Sequence, residues 1–271
     1  MATTTTPPNP RLRVRPATPA DVEAILDVHF AAFGPDIMDQ LMYPQGVSAD
    51  ARTKFGYSFF PPTAPNEKGS DDAASKPSHK KKKGELLVMV AEELPADDDS
   101  TPGQIIAFSK WTLSREPRSE EEWNDGSENE TAETLGEGCD VTVYNEFIGA
   151  LHRKRRVYSR GDPALFLGLL ASTPTRHRTG AGSALLRWGT ELADSLGLPS
   201  YLEASPYGYS LYKKFGYQEI DVLDLNITER WGAVKTDDRN WGQNCAVDLV
   251  GPAPEGTFRT VIMKRPAKTA A

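Results

Sequence analysis

The sequence predicts an α/β domain built on a mixed sheet flanked by helices. Three observations predict it. Apolar runs of strand length recur along the chain, amphipathic segments of helical spacing lie between several of them, and one strand feeds a helix through the glycine turn Gly180-Ala181-Gly182. The chain has 271 residues, a length that suits one large domain or two small ones and is ample for a sizeable core.

Residues 12–15, Leu-Arg-Val-Arg, alternate and predict a short strand. Thr18, Pro19 and Asp21 then supply a cap, a first-turn proline and a capping acid, and Val22, Ile25, Leu26, His29, Phe30 and Phe33 recur at helical spacing. A second helix is expected over 49–59. Residues 85–92 and 104–111 are apolar runs joined by a turn-rich link, the pattern of an antiparallel strand pair. A helix is expected over 141–158. Residues 164–171 read as a buried strand, and after the loop 172–179 Ala184, Leu185, Trp188, Leu192 and Leu196 share one helical face, stopped at Gly197. A strand over 199–204, a short helix over 209–215 ended by Gly216, and strands over 221–227 and 257–264 complete the pattern.

Two polar inserts interrupt these blocks. Residues 62–84 hold almost no apolar side chain and cannot offset chain entropy, so disorder is expected; residues 114–138 are acidic and expected to be mobile. The termini 1–10 and 267–271 are expected to be flexible, with one domain spanning 11–266. The formal net charge is −7, from 31 Lys+Arg and 38 Asp+Glu. Residues 116–137 hold nine acids and one base, −8 in all, which leaves the remainder at +1. The charge gives no general attraction to nucleic acid or to an anionic membrane. The longest clean apolar run is too short to span a bilayer, and the first ten residues lack the apolar core of a signal peptide. Cys139 and Cys245 make no disulfide framework and no CxxC pair, which suits a reducing, cytoplasmic setting. The run Lys80 to Lys83 reads either as a solvated loop or as a nuclear address. Four His without paired spacing give no expectation of a metal.

The turn at Gly180-Ala181-Gly182 carries chemistry. The first N–H groups of a helix lack internal partners and sit at the positive end of its dipole, and glycine lets a phosphate approach the backbone. Arg176 and Arg178 stand beside it. A phosphate or pyrophosphate ligand is one reading, and a tight strand-to-helix turn with surface arginines is the other. A dinucleotide fingerprint is opposed by Leu185 at its sixth position and by the eight-residue loop before Gly180. No Gly-Lys-Ser/Thr follows, so the turn is not a P-loop.

Residues 170–186, Leu-Ala-Ser-Thr-Pro-Thr-Arg-His-Arg-Thr-Gly-Ala-Gly-Ser-Ala-Leu-Leu, resemble the acetyl-CoA motif of the GNAT N-acetyltransferase superfamily. Residues 203–217, from Glu203-Ala-Ser205 through Tyr212 to Phe215-Gly-Tyr217, resemble that family's second motif, in its order and at its separation. The resemblance covers 164–217 most strongly, and its style is similar to small-molecule-type members of filamentous fungi. His177 stands where the family has Gln or Arg, Arg178 where it commonly has Gly, and Thr179 where it has a basic residue. Ser205 stands where the family often has Asn.

The resemblance implies the GNAT acyl-CoA N-acyltransferase fold: a mostly antiparallel central sheet, splayed between two parallel strands and flanked by helices. It implies acetyl-CoA as co-substrate. Leu170, Ala171 and Ser172 would bond the pantetheine arm, and His177, Arg178, Thr179, Gly180, Ala181, Gly182 and Ser183 would form the pyrophosphate loop, with Ser205 beside the cofactor. Tyr212 would protonate the departing thiolate, and its other reading is a packed aromatic. Glu203 would act as a general base through water, and its other reading is a structural acceptor. His29 and His152 are further candidates for the base. Tyr43, Phe55, Tyr57, Phe59 and Phe60 either line an acceptor pocket or belong to the core. The expected reaction moves an acetyl group to a primary amine, of a small molecule, by direct attack through a tetrahedral intermediate. A protein or histone lysine acetyltransferase and a catalytically weak CoA-binding module are the alternatives. No nucleic acid or membrane partner is expected, and the sequence does not show the oligomeric state.

Overall fold

The computed structural model describes residues 11–62, 84–95, 102–124, 129–236 and 239–268. The terminus 1–10, residues 269–271 of the tail, and nearly all of the insert 62–84 with its lysine run lie outside the described residues.

The chain opens with β1 (Leu12–Pro16), which pairs antiparallel with β2 (Glu85–Glu93). Helices α1 (Val22–Phe33), α2 (Ile37–Met42) and α3 (Ala49–Tyr57) intervene. The expected cap forms: the Thr18 amide donates to Asp21 Oδ2 at 2.7 Å, and Arg15 grips the same carboxylate. Helix α2 is one the periodicity misses, because six residues are too few to show a stripe. Its start is fixed by Asp36, which accepts from the Met38 amide at 2.8 Å.

Strand β3 (Gln104–Ser114) continues the antiparallel meander as the sequence predicts. The acidic segment 114–138, expected to be mobile, holds two short helices among its described residues. These are α4 (Glu120–Trp123) and α5 (Ala132–Leu135), each opened by a capping box. Ser48 Oγ donates to the Glu137 carbonyl at 2.7 Å, and the Glu137 amide donates to Asp50 Oδ2. Composition registers the charge of such a segment but not the local caps that fold it. The expected helix over 141–158 is α6 (Val141–Tyr144), a π-helical turn (Asn145–Gly149) and α7 (Ala150–Ser159).

The remaining elements are β4 (Ala164–Ser172), α8 (Ala181–Ser195), β5 (Ser200–Ala204), α9 (Tyr209–Lys214), β6 (Gln218–Asn226), α10 (Ile227–Trp231), α11 (Val247–Val250) and β7 (Thr257–Arg265). Two short ones, α10 and α11, are absent from the sequence prediction. The seven strands form one sheet in the order β1-β2-β3-β4-β5-β7-β6. Every neighbouring pair is antiparallel except β4 and β5, whose crossover is α8.

Helix α8 covers one face. Leu165, Leu167, Leu202, Ala204, Val261 and Met263 pack there with Leu186 and Ala193. Gly189 sits mid-helix, at a cost of about 1 kcal/mol in helix propensity. A Cβ there would lie 2.1 Å from the Trp111 ring, so only glycine lets the helix meet the sheet over that tryptophan. On the opposite face α1 packs Ile25, Leu26 and Val28 over Val88, Val90, Phe108 and Ala171, with Phe59 beside them. A third cluster joins Met38 and Met42 of α2 to Val143, Leu225 and Phe258 at the far end of β6 and β7.

Candidate active site

The parallel pair β4–β5 is short. It holds only Leu165↔Ser200, Phe166↔Tyr201 and Leu167↔Leu202. Immediately beyond, the β3–β4 register slips: Trp111 pairs with Leu167 and Lys110 with Leu169, so Gly168 bulges without a partner and is exposed. A bulge adds a residue and bends its strand. From residue 168 onward β4 keeps β3 on one side, while among the described residues no strand pairs with its other edge. The Thr173 amide donates to the Ile106 carbonyl, so by the alternation of the ladder Ala171, expected from the sequence to bond a ligand, is turned toward β3, and the backbone groups of Leu170 and Ser172 face the free edge, available to a ligand lying alongside. The bulge also reverses the alternation: Leu165 and Leu167 face α8, whereas Leu169 and Ala171 face α1.

At the end of this edge the chain turns into α8. Gly180 has φ +91 and Arg178 φ +65, both left-handed. The turn needs glycine at 180, and it places a non-glycine residue in a conformation that costs about 1–2 kcal/mol. The amides of Ala181, Gly182 and Ser183 open the helix, and no side chain caps its N-terminus. Thr179 Oγ1 donates to the Arg176 carbonyl at 2.9 Å, closing the loop on itself. Arg176 is committed to Glu93 at 2.6 Å. Arg178 and His177 are exposed. A Cβ on Gly182 would meet nothing nearer than Leu211 at 3.9 Å, so that glycine answers to no contact within the protein.

Tyr212 of α9 is buried on the α8 face against Tyr217, ring centroids 6.1 Å apart, and burial raises its phenol above the usual pKa. Gly208 makes room for it, since a Cβ there would lie 2.6 Å from the ring. Ser205 closes the turn into α9, its carbonyl accepting from the amides of Gly208 and Tyr209. Glu203 points to the opposite face of the sheet. Arg155 of α7 holds it, Nη2 to Oε2 at 2.7 Å and Nε to Oε1 at 3.2 Å. The structure thus places Tyr212 and Glu203 on opposite faces, one on each side of the strand β5 that borders the divergence.

The other candidates separate. His29 is packed among Phe30, Phe33, Phe55 and Phe108, and its Nδ1 is buried without a partner. Burial, with Lys110 nearby, holds its pKa down to about 3. It is a core residue. His152 lies half-buried on α7. Phe55, Phe59 and Phe60 join the α1 cluster, Tyr43 belongs to the third cluster, and Tyr57 is exposed, so these five rings do not line one pocket.

Sequence reasoning missed three cations. Arg155 lies 3.6 Å from the centre of the Phe166 ring. Lys110 lies over Phe59 at 5.2 Å with no carboxylate partner among the described residues, and burial, with Arg155 nearby, brings its pKa down to about 8. Arg118 has a buried Nε that donates to nothing. In the sequence Arg155 is one of four consecutive cations over 153–156, and Lys110 is the single charge in the apolar run 104–111.

No family model and no curated protein sequence matches the chain. Solved structures do. A mosquito arylalkylamine N-acetyltransferase like 5b is 16% identical, with 94% of this chain and 99% of that one covered and a TM-score of 0.54. A Drosophila melanogaster polyamine N-acetyltransferase, described as forming N-acetylagmatine, has the same identity, coverage and score. An agmatine N-acetyltransferase is 15% identical, with 93% and 98% covered and a TM-score of 0.54. At this identity the likeness is one of fold. The chain has the fold of the GNAT N-acetyltransferases, a seven-stranded, mostly antiparallel sheet with one parallel pair and flanking helices.

Proposed function

We propose that the protein is an acetyl-CoA-dependent N-acetyltransferase that acetylates the primary amine of a small molecule. The observation that carries this reading is the unpaired edge of β4 beyond Leu167↔Leu202, which leads from the bulge at Gly168 to the open helix start at Gly180. An extended arm with a pyrophosphate at one end fits an edge that offers strand-like hydrogen bonds and then helix amides. Arg178, exposed and without an acidic partner among the described residues, suits the same anion. The open space at Gly182 admits a phosphate close to the backbone.

Acetyl-CoA supplies a thioester whose carbonyl carbon an amine attacks, with a thiolate leaving. This chain's residues position and move protons around that exchange. Backbone N–H groups near Ala171 are free to donate to a developing oxyanion. Tyr212, kept protonated by its burial, supplies a proton to the leaving sulfur. Glu203 receives the proton of the attacking amine through water while Arg155 fixes its orientation. The structures of similar fold that act on arylalkylamines, polyamines and agmatine support a small-amine acceptor. No helix among the described residues is long and apolar enough to cross a membrane.

The test is calorimetric titration with CoA, followed by thiol-release assays against arylalkylamines, diamines, amino acids and histone peptides. Submillimolar CoA binding with turnover of at least one small amine is expected. No binding at millimolar CoA overturns the reading, and turnover of histone peptides alone replaces the small-molecule acceptor with a protein.

A further inference from the structure

On the α1 face, below the β4 bulge, the sheet and α7 enclose a cavity of about 160 Å³. That is comparable with the ~150 Å³ cavities that take up one benzene-sized guest. Its floor comes from alternate residues of three strands: Thr112 and Ser114 of β3, Phe166 of β4, and Glu203 of β5. Arg155 roofs it from α7, and Arg118 closes the end away from the bulge, beside Ser114. Lys110 is the next residue on the same face of β3, about 7 Å along the strand from Thr112 toward the bulge.

The lining holds two arginines, Arg118 and Arg155, and two carboxylates, Asp162 and Glu203, but not all of them pair with one another. Arg155 and Glu203 neutralise each other. Arg118 makes no ion pair among the described residues, and its buried Nε lacks an acceptor. A buried donor left unmade costs on the order of 1–3 kcal/mol. Lys110, outside the lining but on the same face of β3, is a second cation without a carboxylate partner among the described residues. The cavity's other carboxylate, Asp162, is exposed to solvent. Asp162 adjoins Gly161, whose carbonyl accepts from the Arg118 amide, yet Arg118 makes no ion pair with it among the described residues, so the buried Nε is open to an anionic acceptor that enters the cavity.

We propose that this cavity is the acceptor pocket and that it selects amines whose far end is a carboxylate, the anion set against Arg118 and the amine directed toward Glu203 and the bulge. The inference rests on the acetyltransferase reading and sharpens its substrate class from small amines to amino acids of short, flexible chain. A diamine of the same length would bring a second cation against Arg118 and be disfavoured. The guanidinium is a planar fork suited to a carboxylate, and Thr112 and Ser114 line the same cavity with their hydroxyl-bearing side chains.

The experiment compares 5-aminopentanoate, 1,5-diaminopentane and pentylamine, which differ only in the end group. Each is titrated calorimetrically into the full chain, with and without CoA, and then assayed for acetylation. The aminopentanoate is expected to bind at least tenfold more tightly than the other two. Arg118→Gln is expected to weaken it by about 10- to 100-fold, the worth of hydrogen bonds to a charged group, while changing diamine binding less than threefold. Ser114→Leu, which fills the cavity, is the second variant: it should abolish aminopentanoate binding and leave CoA affinity unchanged. Equal or tighter binding of the diamine overturns the proposal, as does an equal effect of Arg118→Gln on all three ligands. If CoA binds and diamines are acetylated while aminopentanoate is not, the carboxylate preference fails and the acetyltransferase stands. If aminopentanoate binds through Arg118 but CoA does not bind, the anion site stands and acetyl transfer falls.

Discussion

Arg155 holds Glu203 through two hydrogen bonds, Nη2 to Oε2 at 2.7 Å and Nε to Oε1 at 3.2 Å. The carboxylate is nearly buried, at 10% side-chain exposure, whereas the arginine is one-third exposed and stacked on Phe166. Removing the cation alone leaves a buried charge without its partner. Arg155→Met is therefore expected to destabilise the protein by about 2–3 kcal/mol, less than the 3–5 kcal/mol of a fully buried pair because water reaches the arginine. Arg155→Met with Glu203→Leu should recover at least half of that loss in urea denaturation. Strictly additive effects would show that the pair does not hold α7 to the sheet.

The role proposed for Tyr212 has a signature apart from stability. Tyr212→Phe keeps the ring against Tyr217 and removes only the hydroxyl. It should lower kcat by about 100-fold or more while CoA affinity stays within threefold. Gly208→Ala should lower kcat as well with the hydroxyl intact, because the new Cβ would lie 2.6 Å from the tyrosine ring and displace it. Burial raises the phenol above its usual pKa, so loss of the phenolic proton should not limit the wild-type rate up to about pH 10. An alkaline limb near pH 8 that disappears in Tyr212→Phe would contradict this assignment.

The second half of the sheet was legible because its signals are local: an apolar run, a glycine with a demanding φ, a helical stripe. Gly180, Gly197 and Gly216 all adopt positive φ where the sequence places turns or helix ends. What could not be read depends on contacts between distant segments. Gly168 looks like an ordinary residue in an apolar run, yet the register slip against Lys110 and Trp111 makes it the point where β4 leaves β5. Arg155 and Glu203 are 48 residues apart, and no pattern in the chain links them. The short helices α2, α4, α5 and α10 are set by side-chain caps rather than by periodicity, and α11 starts at Ala246 without one.

Gly180 and Gly182 separate folding from ligand binding. Gly180→Ala puts a Cβ on a residue at φ +91 and should cost about 1–2 kcal/mol of stability together with CoA affinity. Gly182→Ala meets no close neighbour and lies inside a helix, so stability should be unchanged or up to about 1 kcal/mol higher. If a phosphate approaches that backbone, the same substitution should raise the Kd for CoA tenfold or more. Unchanged CoA affinity in Gly182→Ala would remove the pyrophosphate from this turn. Arg178→Gly should add about 1 kcal/mol of stability by relieving its left-handed backbone, and weaken CoA by removing a cation.

In the pH dependence of stability His29 opposes Asp39, whose neighbour Asp36 is also raised by burial and acts in the same sense as Asp39. Burial holds His29 down to about 3, against a usual value of 6.5. Between those values the unfolded chain binds the proton and the folded one does not, so His29 makes stability rise with pH from about 3 to 6.5. Burial and the neighbouring Asp36 push Asp39 up to about 7, against 3.8. Across that window the folded chain holds the extra proton, so Asp39 makes stability fall as pH rises from 3.8 to 7. The His29 and Asp39 slopes each approach about 1.4 kcal/mol per pH unit, one proton's worth, and over most of pH 4–6.5 these two cancel. Asp39→Asn should therefore make the slope more positive than in the wild type, with more stability lost as pH falls toward 4. His29→Phe should expose a negative slope, with stability gained over the same fall. Guanidinium melts at half-unit steps from pH 4 to 7.5 measure both, and parallel profiles for the two variants would show that neither residue is buried in the ionisation state described.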